Sequence, residues 1–235
     1  MRFSVALIVA VFGLASCDEI VVEQQPAPSQ SASASPVLSP NQAANAFASV
    51  ARRVEPIAER ECRARAPRVN CDFKIVVDGR KNQPPNAFQT LDKSGRPIIT
   101  FTTSLIADAR NADELAFVMS HEAAHHIQGH IARQQQNALA GAVIFSGLAT
   151  LGGAGDAAVK EAQRLGATVG ARTYSKEFEL EADELGTILT VKSGYDPIRG
   201  SQFFNRIPDP GNRFLGTHPP NAQRLQTVRN TAARL

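Results

Sequence analysis

The sequence predicts an α+β domain, mostly helical, with a small β-sheet flanking one central helix. Three observations predict it. Short β-type runs are confined to residues 71–102, a helical periodicity precedes them over 41–65, and helical patterns fill most of 111–235.

Length and composition set the frame. The chain has 235 residues, 43% hydrophobic and 20% charged, with a formal net charge of +3. That is enough for one domain with a sizeable core, with or without appendages. The charge is too balanced for a nucleic-acid binder, whose basic surplus would be larger and clustered, so no nucleic-acid partner is expected.

The first segment is read as a targeting signal. Arg2 is followed by an apolar stretch, Phe3 to Ala15, too short to serve comfortably as a mature membrane span. Leu14-Ala15-Ser16-Cys17 resembles the bacterial lipobox in all four positions, which implies cleavage after residue 16 and lipidation of Cys17. Acyl chains add about 0.8 kcal/mol per buried methylene, so a multiply acylated Cys17 would hold the protein on a membrane. The expected place is the cell envelope, facing the periplasm. Residues 17–40, rich in Ser, Ala, Pro and Gln, read as a tether reaching on the order of 25 Å. The folded domain is expected over 41–235.

Two cysteines remain, Cys62 and Cys71. An exported chain meets an oxidising compartment, where the two are expected to pair, with two buried free thiols as the alternative.

The elements follow in order. Ser39-Pro40 suits a helix start, and Ala44, Phe47, Val50, Val54, Ile57 and Ala58 recur at helical spacing against Arg52, Arg53, Arg60 and Arg63. Strand-like runs are Cys71–Val77, Asn86–Leu91 and Pro97–Thr102. The last two are separated by the turn-like Asp92-Lys93-Ser94-Gly95-Arg96 and are expected to pair antiparallel. Asn111 caps a helix with Asp113 and Glu114 in its first turn. The small, apolar residues 137–155 fit a packed helix with a mobile loop better than a membrane-dipping segment, because five glycines interrupt them. Further helical patterns cover 156–173, 175–193, 197–206 and 218–235.

Four of the five histidines, His121, His125, His126 and His130, fall within ten residues. His121-Glu122-Ala123-Ala124-His125 is an HExxH pattern. Four residues make one helical turn, so the two imidazoles share a face and can bind one Zn²⁺, while Glu122 beside them is free to act on water. The preceding run Leu115–Met119 is apolar, which buries this helix, and buried imidazoles need partners. His126 lies about 100° off that face, and His130 is read as peripheral; neither is assigned a role. A catalytic zinc takes three protein ligands. In Lys176–Gly186, Glu179 and Asp183 lie one turn apart, able to supply the third ligand and to orient a ligating histidine. By spacing alone Glu177 and Glu181 compete with Glu179 for the metal.

HExxH followed by ExEADxxG and a C-terminal Thr217-His218-Pro219 with Arg224 resembles the zinc metalloproteases of the HtpX and CAAX prenyl endopeptidase family, in particular its lipidated periplasmic members. The similarity covers roughly residues 84–228. It implies a gluzincin-like zincin fold, one Zn²⁺ per chain, and His121, His125 and Glu179 as ligands. It places Asp183 and Arg224 behind them, with His218 at the reacting centre. It also matches Asn86-Ala87-Phe88 to a cleft-side edge strand that binds extended peptides. The mature chain is expected to hold no convincing membrane-spanning helix of the kind that the embedded relatives have, so envelope-protein quality control is the expected task rather than processing of prenylated proteins.

The expected reaction is peptide hydrolysis on a protein or peptide substrate, with Glu122 as general base and His218 either supporting the developing oxyanion or holding the enzyme latent. Two rivals are a lipid-anchored chaperone or assembly factor that cleaves little, and a zinc hydrolase of peptidoglycan cross-links. Glu122 weighs against a purely structural zinc site, which has no use for a general base and more often takes four protein ligands.

Overall fold

The computed structural model describes residues 38–213 and 215–235. The expected leader over 1–16, Cys17 and nearly all of the expected tether lie outside the described residues. Among those described, no helix is long and apolar enough to cross a membrane.

Helix α1 spans Pro40–Arg65 and begins one residue before the expected boundary. Ser39 caps it by a reciprocal box: its hydroxyl accepts from the Gln42 amide and its own amide donates to Gln42 Oε1. Val50, Val54, Ala58 and Cys62 form its buried stripe. At its end Cys62 is joined to Cys71 by a disulfide, which ties the helix to the chain entering the sheet.

The sheet has three strands, β1 (Lys74–Asp78), β2 (Ala87–Leu91) and β3 (Pro97–Thr102), in the order β1-β3-β2. The β2–β3 hairpin is antiparallel, with Gln89 opposite Ile99, as its turn residues predict. Asp92 Oδ1 accepts from the amides of Ser94 and Arg96, and Gly95 takes a left-handed φ of 79°. β1 instead runs parallel to β3, and it starts three residues later than the sequence predicts. The disulfide explains the delay: Cys71 is held against α1, so pairing begins only at Lys74.

Thr102 ends β3 and caps α2 (Thr103–Asp108). Its hydroxyl also accepts from the Asn86 amide, fixing the chain where it enters β2. Helix α3 (Ala112–Ile127) follows, capped by Asn111, whose side chain accepts from the Glu114 amide. The main core lies where α3 meets α1, β3 and α6 (Ser175–Lys192): Leu115, Met119 and Ala123 pack with Val54, Phe101, Ala182 and Leu189. Each large apolar side chain buried there contributes about 1.5–3 kcal/mol.

In chain order, α3 and α6 are joined through a helical hairpin, α4 (His130–Leu151) and α5 (Asp156–Thr173). Gly141 backs directly onto Gly166, where a Cβ on either would fall within 2.2 Å of the other's carbonyl oxygen. The expected packed helix over 137–155 is therefore one arm of this pair. Its outer face leaves Leu139, Val143, Ile144, Leu148 and Leu151 exposed.

The C-terminal part differs from its periodicity in two places. The expected helix 197–206 is one α-turn, α7 (Pro197–Gly200), followed by a 3₁₀ turn over Ser201–Asn205. The expected helix 218–235 is α8 (Asn221–Ala232), which begins only after Pro219-Pro220. His218 thus sits in the loop before it. Phe117, Phe204 and Val228 form a second small core beneath this region.

Candidate metal centre

Helices α3 and α6 cross face to face, and the site forms at their crossing. His121 and His125 project from one side of α3, as their spacing requires, with Nε2 atoms 3.0 Å apart. Glu179 comes from α6. Its Oε2 lies 3.6 Å from His121 Nε2 and its Oε1 lies 3.4 Å from His125 Nε2. One ligand atom from each residue falls within 4.8 Å of the others, the only such trio of metal-ligating side chains among the described residues. Two atoms bound about 2.0–2.1 Å from a shared tetrahedral zinc lie about 3.3–3.4 Å apart. The histidine pair at 3.0 Å and the carboxylate at 3.4–3.6 Å, one oxygen toward each imidazole, lie near that value, so the donor set fits the ion.

Electrostatics makes the same case. Burial opposes charge on Glu179, but the imidazoles of His121, His125 and His218 around it outweigh it and hold the carboxyl well below its usual range. Burial also disfavours charge on His121. Hydrogen bonds to Asp183 and Glu179 overcome it and lift the imidazole to about 9. A buried carboxylate that stays ionised among imidazoles demands a positive partner, here a proton on His121 in the place of a cation.

Asp183 and Arg224 stand behind His121. Asp183 Oδ1 is 3.0 Å from His121 Nδ1, the ring nitrogen other than the one that faces His125.

 Arg224 Nε and Nη2 each donate to a different Asp183 oxygen at 2.7 Å, and Nη2 also reaches within 3.4 Å of Glu179 Oε2. Arg224 enters from α8 and packs over the Phe204 ring, 4.0 Å from its centroid.

The remaining expected residues fall as follows. Glu122 lines a cleft of 610 Å³ together with His121, His125, Glu179 and His218. His218 stands at the rim, its side chain 53% exposed, with Nδ1 3.1 Å from Glu179 Oε2. Asn86, Ala87, Phe88 and Gln89 form one wall, and β2 is an edge strand, paired only with β3. The spacing competitors of Glu179 are elsewhere. Glu177 is exposed, and Glu181 is engaged by His130 and Arg133.

His130 is the residue that sequence reasoning missed. It is buried, not peripheral: its Nδ1 lies 2.8 Å from His125 Nδ1 and its Nε2 3.0 Å from Glu181 Oε2. Burial pushes the His130 imidazole down to about 4, against the pull of Glu181, so the ring is neutral near pH 7. The signal was Gly129. Its φ of 68° ends α3 and turns the chain, so helical spacing cannot be counted from His125 to His130. His126 points away from the centre, donating from Nε2 to the Asn70 carbonyl at 2.7 Å.

Comparison with known proteins finds a family match over most of the chain. Residues 44–232 match the family model described as "Peptidase family M48". The chain is 30% identical over 147 residues to a beta-barrel assembly-enhancing protease of Escherichia coli O157:H7, and 31% identical over 148 residues to one of Yersinia pestis; each match covers 57% of this chain and 30% of the relative. A Vibrio cholerae protein given the same name provisionally is 33% identical over 132 residues, 52% of this chain and 26% of its own length. The matched region thus spans less than a third of these curated relatives.

Proposed function

Because this chain belongs to peptidase family M48, we propose that it is a zinc-dependent endopeptidase acting on cell-envelope proteins, tethered through a lipid on Cys17 and facing the periplasm. His121, His125 and Glu179 are the ligands in this reading. The observation that carries it is the convergence of those three donors beside Glu122 in one open cleft. A structural zinc would have no use for either the cleft or the carboxylate.

Zinc, when bound, would polarise a scissile carbonyl and bring the pKa of a coordinated water to about 7. Glu122 takes the proton from the attacking water and passes it to the leaving amine, the two steps a single carboxylate on the cleft wall can serve in turn. His218 donates to the carbonyl oxygen as it gains charge. Asp183 accepts from His121 Nδ1 and so keeps its Nε2 lone pair turned to the metal. Arg224 neutralises Asp183 and steadies Glu179. The free edge of β2 pairs with the main chain of an extended peptide and lays it along the cleft.

The relatives' name joins proteolysis to β-barrel assembly, which supports an envelope-protein substrate and also favours a second reading: an assembly factor that holds its clients and cleaves few. Replacing Glu122 by Gln separates the two. In the peptidase reading, Glu122→Gln retains zinc and loses casein turnover by at least about 10²-fold. Equal turnover by variant and parent refutes the general-base role.

A further inference from the structure

We propose that His130 is a positioning residue for the metal centre, locking His125 in the tautomer whose Nε2 lone pair faces the ion. The inference rests on the reading of His121, His125 and Glu179 as ligands, and adds a residue from a third helix to their support.

A chain of hydrogen-bonding groups runs inward from the Glu181 carboxylate to His125. Glu181 takes a hydrogen bond on each oxygen from the two terminal nitrogens of Arg133, and a carboxylate held this way can only accept. The contact between His130 Nε2 and Glu181 Oε2, at 3.0 Å, therefore places a proton on His130 Nε2. A neutral imidazole protonated there carries its lone pair on Nδ1. That lone pair lies 2.8 Å from His125 Nδ1, and two bare nitrogens would repel at this distance. His125 Nδ1 accordingly carries the proton and donates. Its Nε2, which points at His121 and Glu179, is left with a lone pair. With the buried His130 ring neutral, each link forces the next from the Glu181 carboxylate inward.

The chain is held stiffly. The His130 ring stacks on Phe178, with centroids 4.7 Å apart and planes within 10°. The Arg133 guanidinium also lies over Phe178, 4.3 Å from its centroid. His130 and Arg133 belong to α4, Phe178 and Glu181 to α6, and His125 to α3. The two ligating imidazoles are thus oriented in parallel ways: His121 directly by Asp183, His125 by Glu181 through one intervening ring.

The test strips the full chain of metal and titrates it with Zn²⁺ against a chromophoric chelator. His130→Phe keeps the stacking on Phe178 and removes both hydrogen bonds. The expected result is zinc affinity weakened about 10–100-fold, a shifted visible spectrum of the Co²⁺-loaded protein, and an unchanged metal-free Tm. His130→Asn, whose side-chain oxygen can stand near the position of Nδ1, recovers most of the affinity. A His130→Phe protein that binds Zn²⁺ like the parent, or that loses only metal-free stability, overturns the inference and leaves the ligand assignment standing. A parent that takes up no zinc overturns both. If His130→Phe fails to fold, Glu181→Ala at the half-exposed end of the chain decides: weakened zinc binding supports the inference, and parental affinity overturns it.

Discussion

Asp183 and Arg224 form a two-armed ion pair, 2.7 Å on each arm, with the carboxylate fully buried and the guanidinium nearly so. They come from α6 and α8, forty-one positions apart in the chain. The pair links the C-terminal helix to the metal centre, since the same carboxylate reaches His121 Nδ1 and the same guanidinium reaches Glu179.

Breaking a buried pair strands a charge, at a cost of about 3–5 kcal/mol. Asp183→Asn should therefore lower Tm by about 6–20 °C for a domain of this size. It should also weaken zinc binding, because an amide can turn its NH₂ toward His121 and reverse the tautomer. Thermal unfolding with and without Zn²⁺ reads both effects. A Tm within a degree of the parent would show that the pair carries no such burden.

The third ligand is tested by Glu179→Ala. The expected outcome is loss of stoichiometric zinc by elemental analysis, while Glu177→Ala, on the exposed side of α6, keeps one zinc per chain. Retention of zinc in the first variant and its loss in the second would reassign the ligand.

Zinc uptake should release a proton. His121 is lifted above its ordinary 6.5 to about 9 in the metal-free site, so it is charged near pH 7 and must deprotonate to ligate. Apparent affinity should rise about tenfold per pH unit between pH 7 and 8.5, with one proton released per zinc, measurable by calorimetry in buffers of different ionisation enthalpy. The sign for metal-free stability is opposite. The raised value makes the stabilisation complete below 6.5 and lost as pH climbs through 9. Affinity that stays flat with pH would contradict the proton's place on His121.

His218→Ala should lower kcat by about 10²-fold with a smaller change in KM, the pattern of a donor used in the transition state. Its half-exposed place at the rim makes the substitution harmless to folding. A rise in turnover would instead identify His218 as a plug that holds the site closed.

Much of this site was legible in the sequence because helices preserve spacing. His121 with His125, and Glu179 with Asp183, each share a face through one turn, and the structure brings the two faces together. Spacing alone could not choose Glu179 over Glu177 and Glu181, because that choice depends on how α6 is rotated against α3. The parallel β1–β3 pairing was not legible either, since it connects segments separated by a full strand and a loop. His130 was hidden for a local reason: Gly129 breaks the helical count. The short helix before residue 206 and the late start of α8 reflect backbone constraints, a 3₁₀ turn and Pro219-Pro220, that hydrophobic periodicity does not register.

Zinc K-edge absorption of the purified, zinc-loaded chain measures most directly whether one divalent cation is held by two imidazoles and one carboxylate. The predicted spectrum has two imidazole nitrogens at about 2.0–2.1 Å, carboxylate oxygen at about 2.0–2.2 Å, and no sulfur. A shell with one imidazole or none, or one unchanged by Glu179→Ala, would contradict it.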